Sequence, residues 1–176
     1  MPKSSGPPNQ LARVISSVDL LKEQGQIQDF ALMGAHAFMV WGEPIATGDV
    51  DLVVLVESDE QFIRAYRGLA EMGEGFEGMA VVIDGLPVEI FPTTISGLYK
   101  EAMLHAVEIE LPDNIRVKVV TPEYLILFAL QAWRYQDKLR IKMLRDGDVT
   151  DAEEVERLIH QFDQEGALWT KYQSVT

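Results

Sequence analysis

The sequence feature that most restricts the fold is a pair of aspartates directly before a long apolar run. Asp49 and Asp51 are separated by one residue, and the run from Leu52 to Val56 follows them. Alternate residues of a β-strand project to the same face, so the two carboxylates lie side by side if this segment is a strand. The apolar run then forms the buried part of that strand. Adjacent carboxylates in this arrangement favour a bound cation.

Upstream of the aspartates, the sequence predicts a helix, a strand and a second helix. Apolar residues recur on one helical face across residues 11–21. Residues 30–33 predict a short buried strand, Gly34 a tight turn, and residues 35–41 a short helix. The loop of residues 42–48 then leads to the strand that carries the aspartates.

Downstream of the aspartates, turn and capping signals predict a helix and two hairpins. Ser58 and Gln61 have the spacing of a capping box at the start of the helix. The dipeptide Asp84-Gly85 favours a type I′ turn, and Glu89 lies on the second arm of that hairpin. Two alternating segments within residues 107–120 predict the second hairpin.

The C-terminal part of the chain predicts helices. Pro122 favours a helix start, and the apolar pattern predicts one long helix over residues 124–144. Thr150 and Glu153 have the spacing of another capping box, which opens a last amphipathic helix. Residues 166–176 are predicted to form a tail.

Composition restricts the class of protein. The 176 residues carry a formal net charge of −13, which argues against an obligate nucleic-acid polymer as a partner, because such binding depends on lysine and arginine. The sequence has no cysteine, which excludes disulfides, thiolate zinc sites and thiol nucleophiles. Residues 1–10 predict a flexible tail without the apolar segment of a signal peptide. No apolar run reaches the roughly 18 residues of a membrane span. We therefore expect a soluble, cytoplasmic protein.

The order of these motifs resembles the nucleotidyltransferase superfamily, especially its small bacterial members related to toxin–antitoxin and antibiotic-modifying enzymes. The family has a strand, a glycine turn, a short helix and a stretch that ends in two spaced aspartates. The positions that match this pattern are Gly34, Gly42, Thr47, Asp49 and Asp51. The segment around Glu89 resembles the strand that carries the family's third acid, and residues 122–137 resemble its closing helix.

The resemblance implies an α/β (α+β) fold with a small mixed β-sheet, flanking helices and a helical C-terminal segment. It divides the chain into a flexible tail at residues 1–10, a nucleotidyltransferase-like core at residues 11–120, and a helical segment at residues 121–176 that packs on this core.

The resemblance also implies an activity in which a nucleoside monophosphate moves from an NTP such as ATP to an acceptor hydroxyl. Asp49, Asp51 and Glu89 are the predicted catalytic residues and the predicted ligands of Mg²⁺ or Mn²⁺. The predicted nucleotide contacts come from the start of the short helix, the following loop and the closing helix. They are Gly34, Ala35, His36, Thr47, Arg134 and Lys138.

The sequence leaves alternatives open. Ala35, Ile45 and Ala129 differ from the residues usual in the family, which favours a catalytically degenerate module with a regulatory or antitoxin-type binding role. Retention of the aspartate pair favours the enzyme, because two carboxylates without a cation repel each other. A third alternative is a metal-binding surface that serves stability alone. His36 also suits a packed structural role.

The sequence does not identify the partners of the protein. The acceptor is a small molecule such as an antibiotic, a protein side chain or an RNA end, and the acidic composition makes RNA the least favoured. The sequence is compatible with a homo-oligomer or with a partner protein.

Overall fold

The computed structural model describes residues 9–163 and 165–175 of the chain. Within these residues, the chain forms a mixed seven-stranded β-sheet and eight α-helices. The strands are β1 (Asp29–Met33), β2 (Val50–Leu55), β3 (Gly75–Glu77), β4 (Ala80–Ile83), β5 (Leu86–Pro92), β6 (Val107–Leu111) and β7 (Ile115–Val119). The helices are α1 (Gln10–Glu23), α2 (Gly34–Trp41), α3 (Asp59–Met72), α4 (Gly97–Leu104), α5 (Pro122–Ala132), α6 (Tyr135–Asp146), α7 (Ala152–Phe162) and α8 (Ala167–Ser174). The predicted α/β fold class, with a mixed sheet and flanking helices, is confirmed.

The strand order β3-β4-β5-β2-β1-β7-β6 places β2 at the centre of the sheet. This strand runs antiparallel to β1 and parallel to β5. In this register Met33 pairs with Asp51, and Asp51 pairs with Glu89. Gly34 follows Met33 directly. The sheet therefore brings Gly34, Asp51 and Glu89, which are distant in sequence, close to one row across three neighbouring strands.

The backbone geometry confirms three local predictions. Ser58 caps α3, because its side-chain oxygen accepts a hydrogen bond from the backbone N–H of Gln61. Asp84 and Gly85 have φ angles of 51° and 76°, and the type I′ turn requires positive values at both positions. Residues 112–114 connect β6 to β7 in the second predicted hairpin. Because a turn sets the register of its strands, these turns also determine which side chains β5 and β7 present.

The prediction of one helix over residues 124–144 is wrong, because the chain changes direction at Trp133. This residue ends α5 in a left-handed conformation, with φ 52° and ψ 31°. Arg134 is then the N-cap residue of α6. The Asp137 carboxylate accepts a hydrogen bond from the backbone N–H of Arg134 and so stabilises the new helix start. Hydrophobic periodicity does not detect this break, since both helices contribute buried residues to the same core.

Two further predictions near the C-terminus are corrected. The N-cap of α7 is Asp151 and not Thr150, since the Asp151 carboxylate accepts hydrogen bonds from the backbone N–H groups of Glu153 and Glu154. The predicted tail at residues 166–176 contains α8, which packs against α5 and α7.

The remaining differences are at the N-terminus and at one edge of the sheet. Most of the tail predicted at residues 1–10 lies outside the described residues, and Gln10 belongs to α1. The edge strand β3 was not predicted, because its three residues are all exposed and carry no apolar alternation.

A hydrophobic core extends from α1 to the C-terminal helices. Its fully buried side chains come from both predicted units and include Leu21, Leu32, Leu52, Leu69, Ile126, Leu127, Leu130 and Leu144. The boundary predicted between residues 120 and 121 falls in the short connection between β7 and α5. Across the described part of the chain, no helix combines the length and apolar character needed to cross a membrane. The C-terminal helices pack on the core, where α5 also contacts α2.

Candidate active site

A cavity of about 580 Å³ lies beside β1, β2 and β5, between the sheet and the C-terminal helices. Its volume falls in the range of roughly 300–1,000 Å³ that is typical of small-molecule sites. The sheet and the loop before β2 contribute acidic side chains to its lining, α6 and its N-cap contribute arginines, and β5, α4 and α5 contribute aromatic rings.

The acidic wall consists of Asp49, Asp51 and Glu89, all of which line the cavity. Burial, followed by the negative charges of Asp49 and Glu89, raises the pKa of the Asp51 carboxyl to about 6. Arg134 and Arg140 act in the opposite direction and lower this pKa in part. Burial and the two neighbouring carboxylates therefore outweigh the two arginines and disfavour the ionised form of Asp51.

Gly34 is in close contact with Asp51. Its φ angle of 59° lies in the left-handed region that favours glycine. A Cβ atom added to Gly34 would lie 2.2 Å from Oδ2 of Asp51, well inside van der Waals contact. Both the backbone conformation and the available space therefore require glycine where α2 begins beside the Asp51 carboxylate.

Thr47 and Asp49 lie together in the loop that leads to β2. The Thr47 hydroxyl donates to Oδ1 of Asp49 at 2.8 Å and also lies 3.2 Å from the backbone oxygen of Asp49. Asp49 is exposed, so this contact orients a carboxylate that packing alone does not hold. Thr47, which we predicted to contact the nucleotide, is thus a neighbour of the acidic wall and does not line the cavity.

The cationic wall consists of Arg134 and Arg140, with Asp137 between them. Nε of Arg134 donates to Oδ2 of Asp137 at 2.8 Å, and Nη2 donates to Oδ1 at 3.2 Å. Nη1 of Arg140 lies 3.7 Å from the same Oδ1 atom. Asp137 is only 2% exposed, whereas the Arg134 side chain is 61% exposed. One buried carboxylate therefore holds two guanidinium groups at the cavity.

The aromatic wall consists of Phe91, Tyr99 and Phe128. The ring centroid of Tyr99 lies 4.8 Å from that of Phe128 and 6.0 Å from that of Phe91. Burial, together with the charge of Asp51, raises the pKa of the Tyr99 hydroxyl above its usual value. The phenol therefore stays protonated at neutral pH and retains an O–H donor at the cavity.

Besides Thr47, three residues that we predicted to bind nucleotide do not line this cavity. Ala35 is buried next to Gly34. His36 lines a second, separate cavity of about 400 Å³, and its buried Nδ1 atom has no hydrogen-bond partner among the described residues. Nζ of Lys138 lies 4.7 Å from the centroid of the Trp133 ring. A nucleotide role for these three residues stays a prediction.

The acidic wall suits a divalent cation that takes some of its ligands from the protein and others from a phosphate. Within the described ranges, no group of three or more Asp, Glu, His or Cys side chains is arranged to hold a metal ion. Mg²⁺, however, often takes only one or two protein carboxylates and completes its octahedron with water and phosphate oxygens. Asp49 and Asp51 provide such a pair. The pKa of Asp51 is raised first by burial and then by the negative charges of Asp49 and Glu89, and a cation would neutralise those charges. A role for Glu89 as third ligand stays a prediction.

Sequence reasoning missed Arg140, the bridging role of Asp137 and the aromatic wall. The spacing Arg134-x-x-Asp137-x-x-Arg140 was a signal for the first two, because residues three apart on a helix are neighbours. The aromatic residues come from separate segments, and only the tertiary fold brings them together.

Neither a protein-family model nor a curated protein sequence matches this chain. Solved structures do match. An antigenic nucleotidyltransferase-like protein from Paracoccidioides brasiliensis is 16% identical, with a TM-score of 0.55, over 92% of this chain and 93% of that protein.

The antibiotic-resistance factor ANT(2'')-Ia matches in two structures. Its solution structure is 14% identical, with a TM-score of 0.51, over 93% of this chain and 96% of that protein. Its crystal structure in complex with adenylyl-2''-tobramycin is 13% identical, with a TM-score of 0.53, over 93% and 99%. At 13–16% identity these similarities show the fold alone, and this fold agrees with the resemblance noted in the sequence. The chain has the nucleotidyltransferase fold.

Proposed function

We propose that this protein is a metal-dependent nucleotidyltransferase, which moves a nucleoside monophosphate from an NTP to an acceptor hydroxyl. The observation that carries this proposal is the sheet register, which pairs Asp51 with Glu89 and sets both beside Gly34 at the wall of one cavity. The fold neighbours support the same reaction class, since they include an antibiotic-modifying nucleotidyltransferase.

The triphosphate of the NTP lies between the acidic and cationic walls in this proposal. The first backbone N–H groups of α2, which begins at Gly34, have no partner within the helix and form an anion-binding end. Arg134 contributes a positive charge from the other side of the cavity. Asp49 and Asp51 would hold Mg²⁺ or Mn²⁺. When bound, the ion would neutralise phosphate charge and increase the acidity of the acceptor hydroxyl.

The protein's own residues account for the proton that the reaction releases. Glu89 accepts the proton of the acceptor hydroxyl, the acceptor oxygen forms a bond to the α-phosphorus, and the bond between the α-phosphorus and the bridging oxygen breaks. Pyrophosphate leaves with the electrons of that bond. Thr47 keeps the Asp49 carboxylate oriented through its hydrogen bond.

For the acceptor, we propose a small hydroxylated molecule. A structural neighbour, ANT(2'')-Ia, was solved in complex with adenylyl-2''-tobramycin, which supports an acceptor of this kind. Here an aromatic wall and an acidic wall meet in one cavity, and they suit a compact acceptor with apolar and hydroxylated faces. The net charge of −13 opposes an RNA end.

The test is a measurement of pyrophosphate release with Mg²⁺, each NTP and a panel of small hydroxylated acceptors. Asp51→Asn should reduce release at least about 100-fold, because it removes charge at the reacting phosphate. Glu43→Gln, at an exposed loop residue outside the cavity, is the matched control and should retain the wild-type rate. Equal release by wild type and Asp51→Asn would contradict the proposal.

A catalytically degenerate binding module is the second candidate. The observation in its favour is that, among the described residues, the acids do not form a group of three metal ligands. This module would neither bind an NTP in a magnesium-dependent way nor release pyrophosphate. Loss of magnesium-dependent nucleotide binding in Asp51→Asn separates the enzyme from this alternative.

A further inference from the structure

Asp137 is a buried carboxylate to which the reaction proposed above gives no role. It is 2% exposed, and it lines the candidate active site with Arg134 and Arg140. Burial of a carboxylate is unfavourable unless charged partners and hydrogen bonds compensate it. Both compensating cations lie at the cavity, so the arrangement links a buried anion to two cavity-lining guanidinium groups.

The hydrogen bonds of Asp137 orient Arg134. The carboxylate accepts hydrogen bonds from Nε and Nη2 of Arg134, and its Oδ2 atom also accepts one from the backbone N–H of the same residue. A guanidinium has five N–H donors in a rigid plane, so this pairing leaves three of them for another ligand. Among the described residues, Arg134 donates side-chain hydrogen bonds to Asp137 alone.

Arg140 is oriented by two neighbours. Its Nη1 atom lies 3.7 Å from Oδ1 of Asp137, and its guanidinium carbon lies 5.9 Å from the centroid of the Phe38 ring. The Arg140 side chain is 22% exposed, so most of its stem is packed. The ion pair and the contact with the ring restrict the guanidinium to one side of α6.

The backbone next to this group is held in an unfavourable conformation. Trp133 has positive φ, which is uncommon for a residue with a large side chain. Nζ atoms of Lys138 and Lys171 lie 4.7 Å and 5.4 Å from the centroid of its ring. The bend makes Arg134 the N-cap residue of α6, where the Asp137 carboxylate accepts hydrogen bonds from both its backbone N–H and its side chain. Such conformations persist where the surrounding structure fixes them, often at ligand sites.

We propose that Asp137 is a positioning residue that holds Arg134 and Arg140 as a paired guanidinium clamp for the triphosphate of the nucleotide. The inference rests on the proposed function for the identity of its ligand. Guanidinium groups bind phosphate oxygens through two parallel hydrogen bonds, and a triphosphate offers enough oxygens for two such groups. Without the carboxylate between them, the two cations repel each other and lose their shared orientation.

The substitution Asp137→Asn distinguishes this role from simple capping of α6. Asparagine keeps an oxygen that accepts the backbone N–H of Arg134, so the helix start is retained. It removes one negative charge near the anion. If Asp137 only capped the helix, anion binding would therefore become tighter. If Asp137 positions the clamp, anion binding becomes weaker, so the two roles predict opposite signs.

The test uses inorganic tripolyphosphate as the probe, in the presence of a metal chelator, with binding measured by calorimetry on the full chain. Relative to wild type, Asp137→Asn and Arg140→Gln should each weaken binding at least about tenfold, because each removes charge-assisted hydrogen bonds or their orientation. Equal or tighter binding by Asp137→Asn with an unchanged circular dichroism spectrum would overturn the proposal. If that variant does not fold, Arg140→Gln tests the clamp, since it leaves the Asp137–Arg134 pair intact, and binding equal to that of wild type would overturn the proposal.

The matched control is Glu154→Gln on α7. Glu154 forms the same kind of pair with Arg157, three residues along the helix and with two hydrogen bonds of 2.7 Å, but neither residue lines the cavity. This variant should bind tripolyphosphate as wild type does, and an equal loss in Glu154→Gln would refute the clamp. A failure of the proposed function gives a different result. Wild type would then release no pyrophosphate, but it would still bind tripolyphosphate without metal, and this binding would still depend on Asp137.

Discussion

Replacement of Asp51 by asparagine should stabilise the metal-free protein, although Asp51 is central to the proposed activity. The carboxyl of Asp51 has a pKa of about 6 in the folded protein, compared with an ordinary value of 3.8. Burial is the main cause, and repulsion by Asp49 and Glu89 adds to it. The folded state therefore disfavours the ionised form of this side chain, and a neutral amide of the same shape avoids the conflict.

The size and pH dependence of this effect follow from linkage. The two pKa values differ by about two pH units, each of which corresponds to about 1.4 kcal/mol, so ionisation of Asp51 costs the fold about 3 kcal/mol. Between the unfolded and the folded pKa, the folded state binds more protons, and stability falls as the pH rises through this window. Above about pH 6 the cost is constant, and below about pH 4 it disappears because the side chain is protonated in both states.

The assay is urea unfolding of wild type and Asp51→Asn with a metal chelator, at several pH values across this window. We expect the variant to be more stable by about 3 kcal/mol near pH 8, and we expect this difference to shrink as the pH falls toward 4. Glu43→Gln is the control and should show no comparable gain. An Asp51→Asn variant that is no more stable than wild type near pH 8, or whose gain does not change with pH, would refute this reasoning.

Three further predictions concern stability in urea. Gly34→Ala should cost more than about 1 kcal/mol, because Gly34 has positive φ and its new Cβ would meet Asp51; an unchanged midpoint would contradict this. Leu127→Ala should cost roughly 2–5 kcal/mol, since Leu127 is fully buried in the core, and a loss below this range would show that the site is loosely packed. Although burial acts in the opposite direction, hydrogen bonds from Lys118 and Lys22 hold the pKa of Asp29 below its usual value. Asp29→Asn should therefore lower stability at neutral pH but have no effect below that lowered pKa, and a loss that persists in acid would have another cause.

Local signals in the sequence were sufficient to predict most of the sheet and the acidic wall. The alternation at Asp49 and Asp51 depends only on strand geometry, and the turn at Asp84-Gly85 sets the hairpin that carries Glu89. The resemblance to nucleotidyltransferases added the order of the elements. The strand alternation and the turn each involve only a few neighbouring residues, so they can be recognised without the tertiary structure.

The cationic and aromatic walls could not be predicted in the same way. The bend at Trp133 depends on the capture of the Arg134 backbone by Asp137 and on packing around the indole ring. Apolar periodicity continues across the bend, so the pattern favours one long helix. Burial lowers the pKa of His36 and the nearby Asp49 acts in the opposite direction, so His36 lies close to Asp49 in space, yet its side chain lines the second cavity. The direction of a side chain from a short helix depends on how that helix packs, and the sequence does not specify this.

The most direct test of the nucleotidyltransferase assignment is thermal unfolding with Mg²⁺ alone, with each NTP alone, and with both together. A ligand that prefers the folded state stabilises it by about 2.7 kcal/mol at 100 times its dissociation constant. We predict a joint stabilisation by Mg²⁺ and one or more NTPs, which Glu43→Gln retains and Asp51→Asn loses. The ligand-induced shift in melting temperature is measured for each protein relative to its own ligand-free value, since Asp51→Asn starts from a higher stability. No nucleotide response at millimolar concentration, or an equal response in Asp51→Asn, would contradict the assignment.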